Sequence, residues 1–153
     1  MKGPILVQDT LKTAGLEIDI IELQKSARTA QLAADALDTA LGSIVKSLLF
    51  LADGKPALVL VAGDRRADTT RLKQLLKAKR VRIADAQRVR TETGFSIGGV
   101  PPVGHLQRLP TWIDASLGRF ETVYAAAGHP RAVFAISFDD LVRVTGGRVA
   151  DVT

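Results

Sequence analysis

Ser43-Ile-Val-Lys-Ser-Leu-Leu-Phe-Leu-Ala-Asp-Gly-Lys-Pro-Ala-Leu-Val-Leu-Val-Ala62 is the stretch from which prediction of the fold starts. It contains two apolar runs with many strand-forming residues, joined by Asp53-Gly54-Lys55. An Asp-Gly pair favours the positive backbone angles of a tight hairpin turn. The segment is therefore predicted to form a β-hairpin.

Shorter patterned segments lie on both sides of this hairpin. Apolar periodicity, with capping residues such as Asp68, Asp85 and Ser137, predicts helices. They cover residues 4–14, 29–41, 69–79, 85–93 and 137–146. Strands are predicted at residues 17–23, 81–84, 109–114, 122–127, 132–136 and 148–152. Because strands and helices do not alternate regularly, the expected fold is α+β, with a mixed, strongly curved, barrel-like β-sheet surrounded by helices.

Length and composition restrict the class of protein. The chain has 153 residues, 46% of them apolar and 24% charged, which predicts a single globular domain over residues 1–153. No apolar run approaches the roughly 18 residues that span a bilayer, so we expect a cytoplasmic protein without a membrane partner. With no cysteine and only two histidines, neither a metal site nor a cofactor is predicted. The oligomeric state is left open between monomer and weak dimer.

Positive charge is concentrated in one part of the chain. The net charge is +5, and ten of the 21 basic residues lie between Arg65 and Arg90, against only Asp68 and Asp85. Such a tract is either a solvated helix face or a surface that binds a phosphate backbone. The candidate phosphate-binding residues are Arg65, Arg66, Arg71, Lys73, Lys77, Lys79 and Arg80.

A glycine- and proline-rich segment runs from Thr93 to His105 and contains four of the 13 glycines and two of the six prolines. Gly98 and Gly99 have no side chain to cover their N–H groups, which are therefore free to face an oxygen atom of a ligand. Two following prolines, Pro101 and Pro102, would make the loop rigid. The alternative interpretation is an ordinary tight connection between secondary-structure elements.

One lysine interrupts the apolar pattern of the first hairpin strand. Lys46 shares a face with Ile44 and Leu48, which are expected to point inward. An inward ammonium group is costly unless it meets an anion or lines a wet cavity, although a lysine can also extend its head to the protein surface. No catalytic triad, carboxylate pair or metal-ligand cluster is apparent, and Ser96 and His105 are expected to be bystanders. An enzyme acting on a reactive ester can instead rely on backbone amide donors and water.

These segments together resemble the YbaK/ProX family of trans-editing aminoacyl-tRNA deacylases, relatives of the editing domain of bacterial prolyl-tRNA synthetase. The resemblance is carried by Lys46 in its strand, by Val59–Asp64, and by Gly98-Gly-Val-Pro-Pro-Val-Gly104. It implies hydrolysis of the ester that joins a wrong amino acid to the 3′-terminal adenosine of a tRNA. In the family the substrate assists the reaction, through a ribose hydroxyl or a side-chain thiol.

The resemblance also implies the site residues and the partners. Lys46, Gly98 and Gly99 are the implied catalytic residues. The implied substrate-binding residues are Ser47, Pro101, Pro102, Gly104, Ala126, His129 and Val133. The acceptor end of aminoacyl-tRNA is the expected partner, with acceptor-stem phosphates on the basic tract, and a synthetase is a second candidate.

Three positions leave the amino acid open. Ala126 and Val133 are apolar where the cysteinyl-tRNA branch of the family is polar, and Ser47 stands where the alanine-clearing branch has Asn. The sequence is also compatible with two alternatives. One is a non-catalytic tRNA- or synthetase-binding module of the same fold, and the other is a small-ligand binder that uses the same cavity.

Overall fold

The computed structural model describes residues 2–153. The helices are α1 (Lys2–Thr13), α2 (Ala30–Leu37), α3 (Thr69–Leu76), α4 (Ala86–Thr93) and α5 (Phe138–Thr145). The strands are β1 (Ile20–Glu22), β2 (Ile44–Ala52), β3 (Lys55–Ala62), β4 (Val81–Ile83), β5 (Thr111–Asp114), β6 (Thr122–His129), β7 (Ala132–Ser137) and β8 (Arg148–Ala150). Within residues 2–153 no helix is both long enough and apolar enough to span a bilayer.

The strands form one mixed sheet in the order β1-β7-β6-β2-β3-β5-β8, and β4 pairs separately with β2. The pairs β2–β6, β3–β5 and β5–β8 are parallel, and the other pairs are antiparallel. The predicted α+β fold with a mixed sheet is confirmed, and the predicted hairpin forms its centre. No pairing in the described chain joins β1 to β8, so the sheet is open at these two edges.

Both faces of the sheet are covered by helices. Alternate residues of β2, including Val45 and Leu49, join the main core with α1, α4 and α5. The other face carries two separate clusters. One contains Ile44 and packs against α2, and the other contains Phe50 and packs against α3. Lys46 is therefore on the second face, between the two clusters, and not in the main core.

The predicted helix caps are confirmed. Side-chain oxygens of Asp68, Asp85 and Ser137 accept hydrogen bonds from the first-turn amides of α3, α4 and α5. However, α2 and α3 are shorter than predicted, because Asp38 and Lys77 adopt the left-handed conformation, with φ of 51° at each. Apolar periodicity did not indicate these ends, since neither position is a glycine.

Candidate active site

Strand β2 changes partner along the edge that faces away from β3. Ile44 and Val45 pair with β6, whereas residues 50–52 pair with β4. Between these two contacts, Lys46, Ser47 and Leu48 pair only with β3. The sheet therefore has a gap between β6 and β4, in the middle of its central strand.

A cavity of about 320 Å³ occupies this gap. Its walls come from α2, β2, the end of β4, the middle of α4, the Gly98 loop and strands β6 and β7, and they are mostly aliphatic. The apolar lining residues include Ala33, Leu37, Ile44, Val45, Leu49, Ala84, Val89, Val100, Ala125, Ala126 and Val133. The polar side chains are those of Arg28, Thr29, Lys46, Ser47 and Tyr124. Because the described lining contains no carboxylate, the cavity favours an uncharged apolar group with negative charge beside it.

Lys46 is half-buried at the wall of this cavity. Its Nζ donates a hydrogen bond to the backbone carbonyl of Arg65, in the turn after β3. Burial lowers the pKa of Lys46, the positive charge of Arg66 lowers it further, and the carboxylate of Asp64 raises it. The prediction that Lys46 shares a face with Ile44 and Leu48 is confirmed, but that face is the helix-covered second face of the sheet.

The turn that holds the Arg65 carbonyl is fixed by an ion pair. Both carboxylate oxygens of Asp64 accept hydrogen bonds from the Arg119 guanidinium, at 2.7 and 3.0 Å. Nε of Arg119 also donates to the Ser116 carbonyl at 2.6 Å, and its guanidinium lies 5.1 Å from the centre of the Phe120 ring. These bonds hold the pKa of Asp64 below its usual value. Bidentate geometry restrains both side chains, and so restrains the turn that contacts Lys46.

Gly98 brings the glycine loop against the cavity. Its φ is +93°, and a Cβ atom at this position would lie 3.2 Å from Cγ of Arg28. The Gly98 N–H has no acceptor among residues 2–153, and neither does the N–H of Val100, which also lines the cavity. The loop therefore offers two unpaired amide donors beside the cavity.

The structure corrects the predicted role of Gly99. Its N–H donates to the Ser96 carbonyl at 3.0 Å, so the prediction of a free donor at Gly99 is wrong. Gly99 packs on the backbone of His129 instead, where an added Cβ would lie 3.0 Å from its Cα. The turn from Ser96 to Gly99 thus brings only the first of the two glycines to the cavity.

Four other predicted substrate-binding residues do not line this cavity. Pro101 and Pro102 are buried behind the loop, where the Pro101 carbonyl bonds to Nε2 of His105 at 2.7 Å. Gly104 and His129 border a second cavity of about 350 Å³ on the other side of the loop. None of the four lines the cavity that Lys46 borders, and their predicted role in substrate binding stays a prediction. The hydrogen bond between Pro101 and His105 restrains the loop.

The remaining predicted substrate-binding residues do come together. Ala126 and Val133 are register partners on β6 and β7, and both line the cavity. Ser47 follows Lys46 on β2 and also lines the cavity. Arg28 and Tyr124 were missed by sequence analysis, because neither belongs to a recognisable motif and only the fold brings them to the cavity.

Comparison with known proteins assigns the chain to a family. The sequence profile of the aminoacyl-tRNA editing domain matches residues 24–144, which include every residue of the cavity wall. The chain belongs to the aminoacyl-tRNA editing domain family. A solved structure described as a candidate trans-editing enzyme for prolyl-tRNA synthetase superimposes with a TM-score of 0.94 and 40% identity. That similarity covers 100% of this chain and 98% of the other.

Two further proteins are similar to this chain over different shares of their length. The uncharacterized protein YwhH of Bacillus subtilis is 31% identical over 134 residues, covering 87% of this chain and 85% of YwhH. The proline–tRNA ligase of Desulfovibrio desulfuricans is 44% identical over 75 residues. These residues are 49% of this chain but only 13% of the ligase.

The candidate phosphate-binding residues of the basic tract lie on the protein surface. All seven candidate residues, from Arg65 to Arg80, have exposed side chains. Arg65 and Arg66 lie at the turn that contacts Lys46, whereas the amides of Lys79 and Arg80 bond to Asp53 at the hairpin turn. Lys46 and Asp53, which these two groups of basic residues contact, are seven residues apart along the hairpin. At the usual rise per residue of a strand this is about 23 Å. The editing domain thus carries a basic strip that starts beside the cavity.

Proposed function

We propose that this chain is an aminoacyl-tRNA deacylase that hydrolyses, in trans, the ester between a wrong amino acid and the 3′-terminal adenosine of a tRNA. The supporting observation is the cavity in the β2 gap. Lys46 and Gly98, whose N–H has no acceptor among residues 2–153, both line this apolar pocket in a chain of the editing family. Similarity to a candidate trans-editing enzyme for prolyl-tRNA synthetase makes proline tRNA the first tRNA to test.

The ester itself supplies most of the reactivity. When water attacks the ester carbonyl, negative charge develops on the carbonyl oxygen. Backbone N–H groups held in place by a rigid loop stabilise that charge, and each such donor is typically worth about 2.7–4 kcal/mol. Gly98 and Val100 are the candidates for this role, because their amides are unpaired beside the cavity.

Water is the proposed nucleophile. The described lining residues include no histidine, cysteine or carboxylate. Nζ of Lys46 bonds to the Arg65 carbonyl, on the face of β2 opposite to the Ser47 side chain, so Ser47 has no base beside it to make it a nucleophile. Water adds its oxygen to the ester carbon, the bond to the ribose oxygen breaks, and that oxygen leaves with a proton. The products are the free amino acid and the tRNA with its terminal hydroxyl restored. The neighbouring ribose hydroxyl of the substrate is suitably close to orient the attacking water.

Lys46 and Arg28 would hold the substrate. Both place positive charge at a cavity without a carboxylate, which matches the terminal phosphate and the developing oxyanion of an aminoacyl-tRNA. The basic strip continues from Arg65 and Arg66, and its other members would contact acceptor-stem phosphates. The Arg65 carbonyl keeps the ammonium group of Lys46 in one orientation.

A panel of tRNAs charged with non-cognate amino acids tests this proposal. Turnover above the buffer rate on at least one member is expected. Salt-dependent tRNA binding with no turnover on any member would instead identify a non-catalytic module of the same fold. A folded protein that neither binds nor hydrolyses any member would exclude both functions.

Loss of the Asp64–Arg119 ion pair is expected to slow hydrolysis about tenfold in an Arg119→Ala variant. The turn at Arg65 would then no longer hold the Lys46 ammonium, whereas stability should change little, because exposed ion pairs contribute about 0–1 kcal/mol. Single-turnover hydrolysis and thermal unfolding measure the two effects. Arg143→Ala is the control, because Arg143 forms an exposed ion pair with Asp140 on α5. Equal rates for Arg119→Ala and the control would show that the ion pair does not position Lys46 for hydrolysis.

A further inference from the structure

Two isoleucines at the cavity are exposed to solvent. Ile83, the last residue of β4, is 59% exposed, and Ile97, immediately before Gly98, is 55% exposed. Both line the cavity that Lys46 borders. Among residues 2–153 they are the only large apolar side chains that are exposed and also belong to its lining. The apolar interior of the cavity therefore continues onto the protein surface at its rim.

The hydrophobic core does not account for these two side chains. Neither Ile83 nor Ile97 belongs to any of the three apolar clusters in the described part of the chain. Single exposed apolar residues are common on protein surfaces, whereas apolar residues that extend an apolar pocket indicate a contact site. Their exposed area would be removed from water by a ligand that covers it. The two isoleucines thus indicate a ligand that extends out of the cavity and has an apolar surface of its own.

The surface around the two isoleucines is basic. Ile83 follows the exposed Arg82 on β4, and β4 follows directly on the basic strip. The exposed Arg90 donates a hydrogen bond, at 2.9 Å, to the hydroxyl of the residue before Ile97. Asp85, the carboxylate closest to Ile83 in sequence, caps α4. Surfaces that bind single-stranded nucleic acid combine these features, because bases cover flat or apolar side chains while phosphates meet lysine and arginine.

The proposed reaction determines which base reaches the rim. When the ester carbonyl oxygen accepts a hydrogen bond from the Gly98 amide, the ester lies one residue from Ile97, and consecutive Cα atoms are about 3.8 Å apart. The amino acid is on one side of that carbonyl, inside the apolar cavity. The ribose is bonded on the other side, and the base is bonded to the ribose. The terminal base is therefore the part of the substrate that extends toward the exposed rim.

We infer that Ile83 and Ile97 bind the terminal adenine of the substrate against their side chains, at the rim of the cavity. This inference rests on the proposed deacylase function. Aliphatic side chains hold a base by covering its apolar faces. The base does not change charge when water attacks the ester, so this contact is equally strong in the ground state and the transition state. It therefore increases affinity for the substrate and leaves the rate of the bound ester nearly unchanged.

Single-turnover hydrolysis of a mischarged tRNA separates affinity from rate. Ile83→Ala and Ile97→Ala should each raise the protein concentration at half-maximal rate by about fivefold, because apolar contact area with the base is lost. The maximal rate should change by less than about twofold. Ile83→Phe should retain the wild-type affinity, because an aromatic ring also covers a base.

Leu106→Ala and Val149→Ala are the matched controls. Leu106 is exposed in the same connection between α4 and β5 as Ile97, and Val149 is exposed on a short strand, as Ile83 is. Neither control residue lines the cavity. Both controls should keep the wild-type half-saturation, and all four alanine variants should keep the melting temperature. Equal half-saturation in the isoleucine variants and the controls would overturn the inference.

A binding measurement separates this inference from the proposed function. The trinucleotide CCA, and the same trinucleotide without its terminal base but with its ribose, can be titrated into wild type, Ile83→Ala and Ile97→Ala. Wild type should bind CCA about fivefold or more tightly than the abasic form, and each variant should lose most of this difference, whether or not any tRNA is hydrolysed. Hydrolysis of mischarged tRNA with equal affinity for the two trinucleotides would leave the deacylase function standing and overturn the role of the isoleucines.

A second copy of this chain is the other candidate occupant of the rim. Sedimentation velocity over a range of protein concentrations detects such a dimer. A wild-type dimer that is lost in Ile83→Ala and Ile97→Ala, with unchanged binding of CCA, would overturn the inference. A sedimentation coefficient that does not depend on concentration, together with base-dependent binding of CCA, would support it.

Discussion

Replacement of Lys46 by methionine is expected to slow ester hydrolysis by about 100- to 1000-fold, the usual effect of removing one group that stabilises the developing charge. Methionine keeps most of the apolar stem, so packing between the α2 and α3 clusters should persist. Removing a half-buried ammonium also relieves its desolvation, and the fold should therefore remain stable. Single-turnover hydrolysis measures the rate, and circular dichroism with thermal unfolding checks the fold.

Lys55→Met provides the control for Lys46→Met, because Lys55 is exposed at the start of β3 in the same hairpin. It should retain the wild-type rate. Lys46→Met with an unchanged rate would show that the ammonium group takes no part in the reaction. Equal losses in both variants would point to a general effect of charge on tRNA binding.

The lowered pKa of Lys46 gives this role a pH signature. In the unfolded chain the pKa of the ammonium group is near the ordinary lysine value of 10.5, and burial lowers its pKa in the folded protein. The enzymatic rate, after subtraction of buffer hydrolysis, should therefore decline with rising pH before 10.5 is reached. Lys46→Met should lack this decline. Stability changes in the opposite direction. Between the lowered pKa of Lys46 and 10.5 the unfolded state binds more protons than the folded state, so the free energy of unfolding rises with pH.

Gly98→Ala is the second substitution expected to have a large effect, with a loss of hydrolysis of about 100-fold or more. Alanine is strained at a φ of +93°, and its Cβ would press on Arg28 at 3.2 Å. Either the loop or Arg28 must shift, and the Gly98 amide then leaves its position beside the cavity. Hydrolysis of one mischarged tRNA and the free energy of unfolding are the two measurements.

Gly54→Ala is the control that measures the effect of backbone strain alone. Gly54 has a similar φ of +81° in the hairpin turn, and an added Cβ there meets no atom within 4 Å. Both variants should lose about 1–2 kcal/mol of stability from the left-handed conformation, but only Gly98→Ala should lose activity. A Gly98→Ala variant as active as Gly54→Ala would rule out the loop amide as a catalytic donor.

Much of the fold was predictable because its signals are local. The Asp53-Gly54 pair determined the central hairpin, and the capping side chains of Asp85 and Ser137 determined where helices begin. The ends of α2 and α3 were not predictable from periodicity, because Asp38 and Lys77 adopt a left-handed conformation that residues other than glycine rarely adopt.

The candidate site was predictable only in part. An ammonium group in an apolar strand and a glycine loop are visible in the sequence, so Lys46 and Gly98 were found. The gap in the sheet was not visible, because it depends on which strands pair with β2, and pairing partners lie far apart in sequence. For the same reason Arg28 and Tyr124 were missed, and Gly99 and His129 were assigned to a wall that they do not form.

Single-turnover hydrolysis of one proline tRNA, charged in turn with proline, serine, threonine, alanine or valine, is the most direct test of the central claim. Excess wild-type protein, with Lys46→Met in parallel, gives the rate of the chemical step for each ester. We predict hydrolysis well above the buffer rate for at least one non-cognate ester, little for the prolyl ester, and loss of the activity in Lys46→Met. Rates equal to those in buffer for every ester, with folded protein that binds the tRNA, would contradict the account.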